Sequence, residues 1–201
     1  MRFVVVISLL LLFLNTSCAG TGVAVDITLS GIQGRVSDGA DIILFDGTGL
    51  NTIPVSNNTF SRAHGITTGY YGAFFIVKKG FYPVTVIFQA MDKPVKVDRV
   101  SLTPLKDAEK GALTGIVYKS VKGGKLKEHR GILQTFKGEK ITLTGENFSR
   151  NIITDDNGMF TVELLPGAYD VFYNNKNTGK VTIDKGKTTI INVQKGMLLM
   201  D

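Results

Sequence analysis

The stretch TDDNGMFTVELLPGAYDVFY, residues 154–173, decides how the chain is read. Asp155, Asp156 and Asn157 place oxygen-bearing side chains ahead of Gly158, as a calcium-binding loop would. After Gly158 the residues alternate: Phe160, Val162 and Leu164 share one face, and Tyr169, Val171 and Tyr173 do the same further on. That period of two belongs to short, half-buried strands. Spacing decides between the two readings. A calcium loop of the EF-hand type carries its glycine at the sixth position and a ligand at the first. With Gly158 sixth, the first position is Ile153, which has no side-chain oxygen. In a tight turn, by contrast, Asp and Asn side chains accept hydrogen bonds from nearby backbone N–H groups, and glycine supplies a positive φ. The stretch therefore reads as architecture: a turn, a strand, a Pro166-Gly167 turn and a second strand.

The same texture extends in both directions. Val181 and Ile183 alternate in KVTID, and Asx-Gly and Lys-Gly pairs punctuate the runs. Almost no segment has helical periodicity. The chain also resembles itself. GAFFIVKKGFYPVTVIF (72–88) matches GMFTVELLPGAYDVFY (158–173), with a Phe two residues after the first glycine and a Tyr two residues after the second. GIQGRVSDGADIILFDG (31–47) parallels GALTGIVYKS (111–120) followed by EKITLTG (139–145), and VDRVSLTPL (97–105) parallels TTIINV (188–193). The expectation is a first β domain over 24–105, a charged linker KDAEK at 106–110, and a second β domain over 111–195. The expected core is Ile43, Phe74, Ile76, Tyr82, Val84 and Val86 in the first, and Val117, Leu143, Phe160, Val162, Tyr169 and Val171 in the second. Two polar excursions interrupt the units, one over 48–71 and a basic one over 120–138. Both are expected to be loops, where binding on a rigid β scaffold usually resides.

The second unit resembles the carboxypeptidase regulatory-like family, within the wider transthyretin-like (prealbumin-like) set. Thr154, Asp155, Gly158 and Phe160 match its TD-x-x-G-x-F element, and Pro166, Gly167, Tyr169 and Val171 match PG-x-Y-x-V. Gly115, Val117, Ile141 and Leu143 fit the two preceding strands. The first unit is a degenerate copy, with Lys79-Gly80 in place of Pro-Gly. The resemblance implies an all-β chain of two tandem seven-stranded immunoglobulin-like or transthyretin-like β-sandwiches behind an N-terminal signal peptide. It also implies an accessory, spacer or adhesion role. Relatives with chemistry leave marks that differ from this chain. A purine-pathway hydrolase of this fold ends in Tyr-Arg-Gly-Ser, whereas this chain ends in Gly-Met-Leu-Leu-Met-Asp. An iron site would need histidines, and His64 and His129 lie in different units. An internal Lys–Asn crosslink would tempt Lys119 and Asn192, but the acid it requires is replaced by Tyr173.

The N-terminus sets the compartment. Arg2, an apolar run over 3–14 and a small-residue exit make a signal peptide over 1–18, too short to be a good membrane span. Cys18, the only cysteine, follows directly. Its place resembles the lipidation site of bacterial lipoproteins, although Asn15 occupies the position where that motif usually has leucine. The alternative is ordinary cleavage after Ala19. Expected localisation is the cell envelope, lipid-anchored at the outer membrane or facing the periplasm, with a soluble secreted or periplasmic form as the alternative.

About 180 residues remain after Cys18, enough for one large or two small domains. The net charge of +6 is concentrated locally: 119–140 carries seven Lys and Arg against Glu128 and Glu139. Lys119, Lys122, Lys125, Lys127 and Arg130 form the candidate patch for an anionic partner. No nucleic-acid motif accompanies it, and an exported chain is not expected to meet nucleic acid. Nucleophile and zinc motifs are absent from the sequence, so no catalytic residue, metal or cofactor is expected. The expected function is a non-catalytic envelope lipoprotein, with the membrane and an unknown envelope protein or polysaccharide as partners. The alternatives are a glycan-binding surface module, for which Phe60, Tyr70 and Tyr71 would be the aromatic platform, and an exported enzyme.

Overall fold

The computed structural model describes residues 22–28, 31–35, 39–56, 59–62, 65–91, 95–126 and 128–201; for 22–28, 31–35, 56, 59–62 and 95–100 only the backbone is described. All secondary structure there is β, so the all-β expectation holds. Among the described residues no helix is long and apolar enough to cross a membrane. Cys18, His64 and Lys127 lie outside the described residues.

The strands form three sheets. In the first unit, β1 (Gly22–Thr28), β2 (Gly31–Arg35), β5 (Val55–Ser56), β6 (Thr59–Arg62) and β9 (Val95–Ser101) make a five-stranded sheet in the order β5-β6-β2-β1-β9. In the second unit, β12 (Lys140–Gly145), β13 (Phe148–Ile153), β15 (Gly167–Tyr173) and β16 (Lys176–Ile183) make a four-stranded one. The third sheet has nine strands and takes members from both units. The first unit gives β3 (Ala40–Phe45), β4 (Leu50–Ile53), β7 (Tyr71–Lys78) and β8 (Val84–Gln89). The second gives β10 (Gly111–Gly123), β11 (His129–Thr135), β14 (Met159–Leu164), β17 (Thr188–Ile190) and β18 (Val193–Met200). Pairing is antiparallel except that β17 and β18 run parallel to β10. A single antiparallel bridge, Ile132 to Tyr71, joins the two halves of the large sheet.

Period-two burial explains the cores. Phe160, Val162 and Leu164 of β14 face a cluster with Leu113, Val117, Leu143, Tyr169, Val171 and Ile183. In the first unit Ile42, Leu44, Phe74, Ile76 and Phe88 make a second cluster, with Val84 and Val86 partly buried against it. A third core lies between the units: Phe45, Ala73 and Phe75 pack on Ile116, Tyr118 and Ile132, with the Phe45 and Tyr118 rings edge to face at 4.9 Å. β3, β7 and β10 are therefore buried on both faces.

That double burial corrects two expected core positions. Ile43 is only half-buried and faces the third core, on the opposite side of β3 from Ile42 and Leu44. Tyr82 is not a core residue: it is half-exposed and its hydroxyl hydrogen-bonds Glu163 of the second unit. The cause is topological. β7 and β8 pair directly with each other, whereas β14 and β15, their sequence counterparts, lie in different sheets. Tyr82 thus sits in a connection within one sheet, while Tyr169 lies on β15 after the chain has passed to the other sheet, is buried, and donates its hydroxyl to the Leu165 carbonyl at 2.9 Å. Both excursions are also more structured than expected: 48–71 contributes β4, β5 and β6, and the basic one is largely the β10–β11 hairpin.

The turn opening the decisive stretch behaves as a turn. Asp155 Oδ1 accepts hydrogen bonds from the N–H groups of Asn157 and Met159, both at 2.9 Å. Gly158 has φ +76, and a Cβ there would meet the Phe136 nitrogen at 2.7 Å. Thr154 Oγ1 donates to the Phe136 carbonyl at 2.7 Å and accepts the Glu139 N–H at 2.9 Å, so every oxygen of the Thr-Asp pair that bonds does so to backbone.

Candidate functional site

The basic residues lie where β10 extends beyond its unit's core. A strand of thirteen residues is long enough to pair with β14 through its first half and β11 through its second. Gly123 and Gly124, at φ +97 and +117, turn the chain at the far end. Register then places the patch. Lys119 is opposite Gln134 and is half-buried. Lys122 is opposite Arg130 and exposed, and Lys125 is exposed in the turn. Leu126, beside Lys125, is fully exposed.

Arg130 differs from the lysines. Its guanidinium bonds Glu128 Oε1 at 3.1 Å and lies 3.8 Å from Asp46 Oδ2. The Glu128 hydrogen bond and charge, aided by Asp46, hold its pKa above the ordinary value. Asp46 is itself buried and fixed by the Thr48 N–H, the Thr48 hydroxyl and the Gly49 N–H. The Arg130 backbone N–H donates to Thr67 Oγ1 at 3.0 Å, and its carbonyl accepts the Thr67 N–H at 2.9 Å. Arg130 is thus a tie between the units rather than an available cation. Beside it Gly47 approaches Gly131 so closely that a Cβ would meet the Gly131 carbonyl oxygen. At the opposite end the Gly80 N–H donates to the Gly186 carbonyl at 2.7 Å, and in the connector the Lys106 N–H donates to Glu163 Oε1 at 2.7 Å.

The aromatic platform is not assembled as such. Tyr71 packs in the third core, and Tyr70 packs on the first unit's core with His129 edge-on at 6.0 Å. The Phe60 side chain lies outside the description. His129 Nδ1 is buried without a hydrogen-bond partner. Among the described residues no group of three or more His, Cys, Asp and Glu side chains is placed to hold a metal ion. Lys119 lies on β10 beside Gly196, whereas the Asn192 side-chain oxygen accepts the Ile116 N–H at 3.1 Å.

Two features were missed in the sequence. The first is a cluster at the edge of the second core: the Tyr173 hydroxyl donates to Glu139 Oε2 at 2.7 Å, and Lys195 Nζ donates to Oε1 at 2.5 Å. Lys195 also lies 4.3 Å above the Phe136 ring. Burial, then the bond to Glu139, pushes the Tyr173 phenol up to about 12, while Lys195 and Tyr173 hold Glu139 below the usual carboxylate range. The second is β18, which continues past the expected domain end at 195. It lies against β10 from Val117↔Val193 to Gly123↔Met200, and among the described residues it pairs with no other strand. Met197 and Leu199, directly beside Ser120 and Lys122, are 46% and 69% exposed. No alternation in KGMLLM signals this edge strand in the sequence.

These features define an all-β, sandwich-like protein with a basic hairpin beside an exposed strand edge. No family model and no curated protein sequence matches the chain. Among solved structures it is distantly similar to the Bacillus anthracis TIE protein, at 13% identity and a TM-score of 0.34, over 89% of this chain and 35% of that one. The chain thus spans about a third of that protein's length.

Proposed function

We propose that the chain is a non-catalytic lipoprotein of the cell envelope, anchored through Cys18 and acting as a scaffold or spacer for a protein partner or surface assembly. In this reading its units are two tandem transthyretin-like sandwiches, the second of the carboxypeptidase regulatory-like type. The observation that carries the scaffold role is the third core. Phe45, Ala73 and Phe75 of one unit and Ile116, Tyr118 and Ile132 of the other are all buried, so the units are packed on each other rather than merely tethered. A spacer that must hold its far end at a set distance from a membrane needs such a joint. The anchor rests on the leader and Cys18. Among the described residues of the patch, Lys122 and Lys125, exposed on the hairpin, are the cations that would meet an anionic surface. The glycan-binding alternative is weakened because Tyr70 and Tyr71 are committed to cores. The experiment is Cys18→Ala with membrane fractionation and mass spectrometry of the native N-terminus. The expected result is loss from the membrane fraction, with a diacylglyceryl cysteine in the unaltered protein. An unmodified N-terminus at Gly20 would refute the anchor.

A further inference from the structure

We propose that the end of the second unit, between the β12–β13 turn and the β14–β15 turn, is a binding cleft for the sugar rings of an envelope polysaccharide. The cleft encloses about 650 Å³, within the range of about 300–1,000 Å³ typical of ligand sites. Sheet parity supplies its polar wall. Leu143, Val171 and Val181 enter the second core, so their chain neighbours Thr144, Asp170 and Lys180 point to the outer face. Register sets these three side by side: Thr144 is opposite Asp170, and Asp170 is opposite Lys180. The tight turn after Gly145 adds Glu146 and Asn147, both exposed. The apolar wall is Phe148, whose ring stands edge to face with buried Tyr169 at 5.5 Å, together with Pro166 and Leu165 of the second turn, the latter 58% exposed.

The chemistry of these groups selects the occupant. Among the described residues Thr144, Glu146 and Lys180 make no side-chain hydrogen bond or ion pair, although Asp170 and Lys180 are direct cross-strand neighbours. Asp170 holds only a 3.4 Å contact from Asn177 Nδ2. A carboxylate only accepts and an ammonium only donates, whereas threonine and asparagine do both. Two carboxylates beside one ammonium suit neither a lone anion nor a lone cation, and among the described residues no His, Cys, Asp and Glu cluster is placed to hold a metal. A peptide that adds as a strand needs an unpaired edge, and β12 and β15 are each paired on both sides. A pyranose ring fits this set: its hydroxyls donate to Glu146 and Asp170 and accept from Lys180, and its C–H face packs on Phe148 and Leu165. The inference rests on the scaffold role proposed above and names a polysaccharide as the assembly that is held. The cleft is also separate from the basic hairpin. Leu164, next to Leu165, is opposite Gly111 at the start of β10, and the hairpin turns at Gly123, about 40 Å further along that strand.

The test is an array of neutral hexose, N-acetylhexosamine and uronic acid oligosaccharides probed with the full chain, followed by calorimetric titration of the tightest binder. Asp170→Ala and Lys180→Ala each remove a charged hydrogen-bonding partner and should weaken binding about ten- to hundredfold. Both side chains lie on the outer face, so the melting temperature should stay within about 1 °C. Changing Lys122 and Lys125 together to Gln should leave glycan binding unaltered. No binding to any of these oligosaccharides at about 1 mM, unchanged affinity in both cleft variants, or a loss confined to the hairpin variant would each overturn the assignment. Fractionation of Cys18→Ala reads the anchor independently: a membrane-bound chain that binds no glycan removes only the polysaccharide, and a glycan-binding chain with an unmodified N-terminus removes only the anchor.

Discussion

Gly115→Ala isolates how the last strands are held against β10. Gly115 sits inside β10, opposite Phe160 of β14, with an ordinary negative-φ or extended backbone. A Cβ there would lie 1.7 Å from the Ile191 carbonyl oxygen, 2.8 Å from its carbon and 2.9 Å from the Phe160 ring. The obstruction is main chain, at the break between β17 and β18, so no rotamer change relieves it. To admit the methyl group the 191–192 segment must lift away. That endangers the Ile191 N–H bond to the Thr114 carbonyl at 3.0 Å and the Ile116 N–H bond to Asn192 Oδ1 at 3.1 Å. Overpacking costs about 1–3 kcal/mol, and each hydrogen bond lost adds about 0.5–1.5 kcal/mol. The expected total is about 3–5 kcal/mol in urea unfolding, with an unchanged m-value. Gly138→Ala is the control. Gly138 has φ +72 but nothing within 4 Å of its Cβ position, so only the left-handed backbone cost of about 1–2 kcal/mol applies. If Gly115→Ala cost no more than Gly138→Ala, the crossing of Ile191 over β10 would be wrong.

Four further outcomes follow from particular contacts. Phe160→Ala, at a site 3% exposed, should cost about 3–5 kcal/mol, and a loss below about 1 kcal/mol would place Phe160 outside the core. Asp155→Ala removes the acceptor of two backbone N–H groups and should cost about 1–2 kcal/mol, while calcium should leave the melting temperature of the unaltered protein unchanged; a calcium-dependent rise would revive the metal reading. The folded-state pKa of Tyr173 is raised, so its contribution is complete below its ordinary value of 10.0 and is lost as pH rises through about 12; that of Glu139 is lowered, so its contribution is present above the ordinary carboxylate value and lost as pH falls through the depressed one. Tyr173→Phe should flatten the alkaline loss, and an unchanged alkaline limb in thermal melts would count against the Tyr173–Glu139 bond. Changing Lys122 and Lys125 together to Gln should leave the melting temperature within about 1 °C and lower any low-salt binding to anionic vesicles severalfold, and undiminished binding would place the contact elsewhere.

How much of this was legible depends on how many faces of each strand are buried. Where one face is covered, as in β14 and β15, parity alone located Phe160, Val162, Tyr169 and Val171, all of them buried. In β3 the stretch IILF (42–45) is apolar on both sides because both sides are covered, and parity then carries no information about which core a residue enters. Ile43 was therefore assigned to the wrong face, and the third core, which consists of such second faces, was invisible. Tyr82 failed for a different reason. The Gly-x-Tyr spacing is the same after Gly80 and after Gly167, yet one turn keeps the chain within its sheet and the other carries it to the opposite layer. Local sequence fixes that a turn occurs; the partner of the outgoing strand is decided by contacts far away in the chain. The basic hairpin shows the same limit. Lys122 and Gly123 have loop composition, but β18 and β11 on either side supply a hydrogen-bonding partner to each edge of β10, and pairing on both sides overrides weak strand propensity. Strand β18 itself was hidden by its residues: KGMLLM has no period-two alternation and resembles a tail until β10 is seen to run on from the core residue Val117 to Gly123 and pair with it. The candidate surface of this protein thus lies where two segments that look like loop and tail are each ordered by the other.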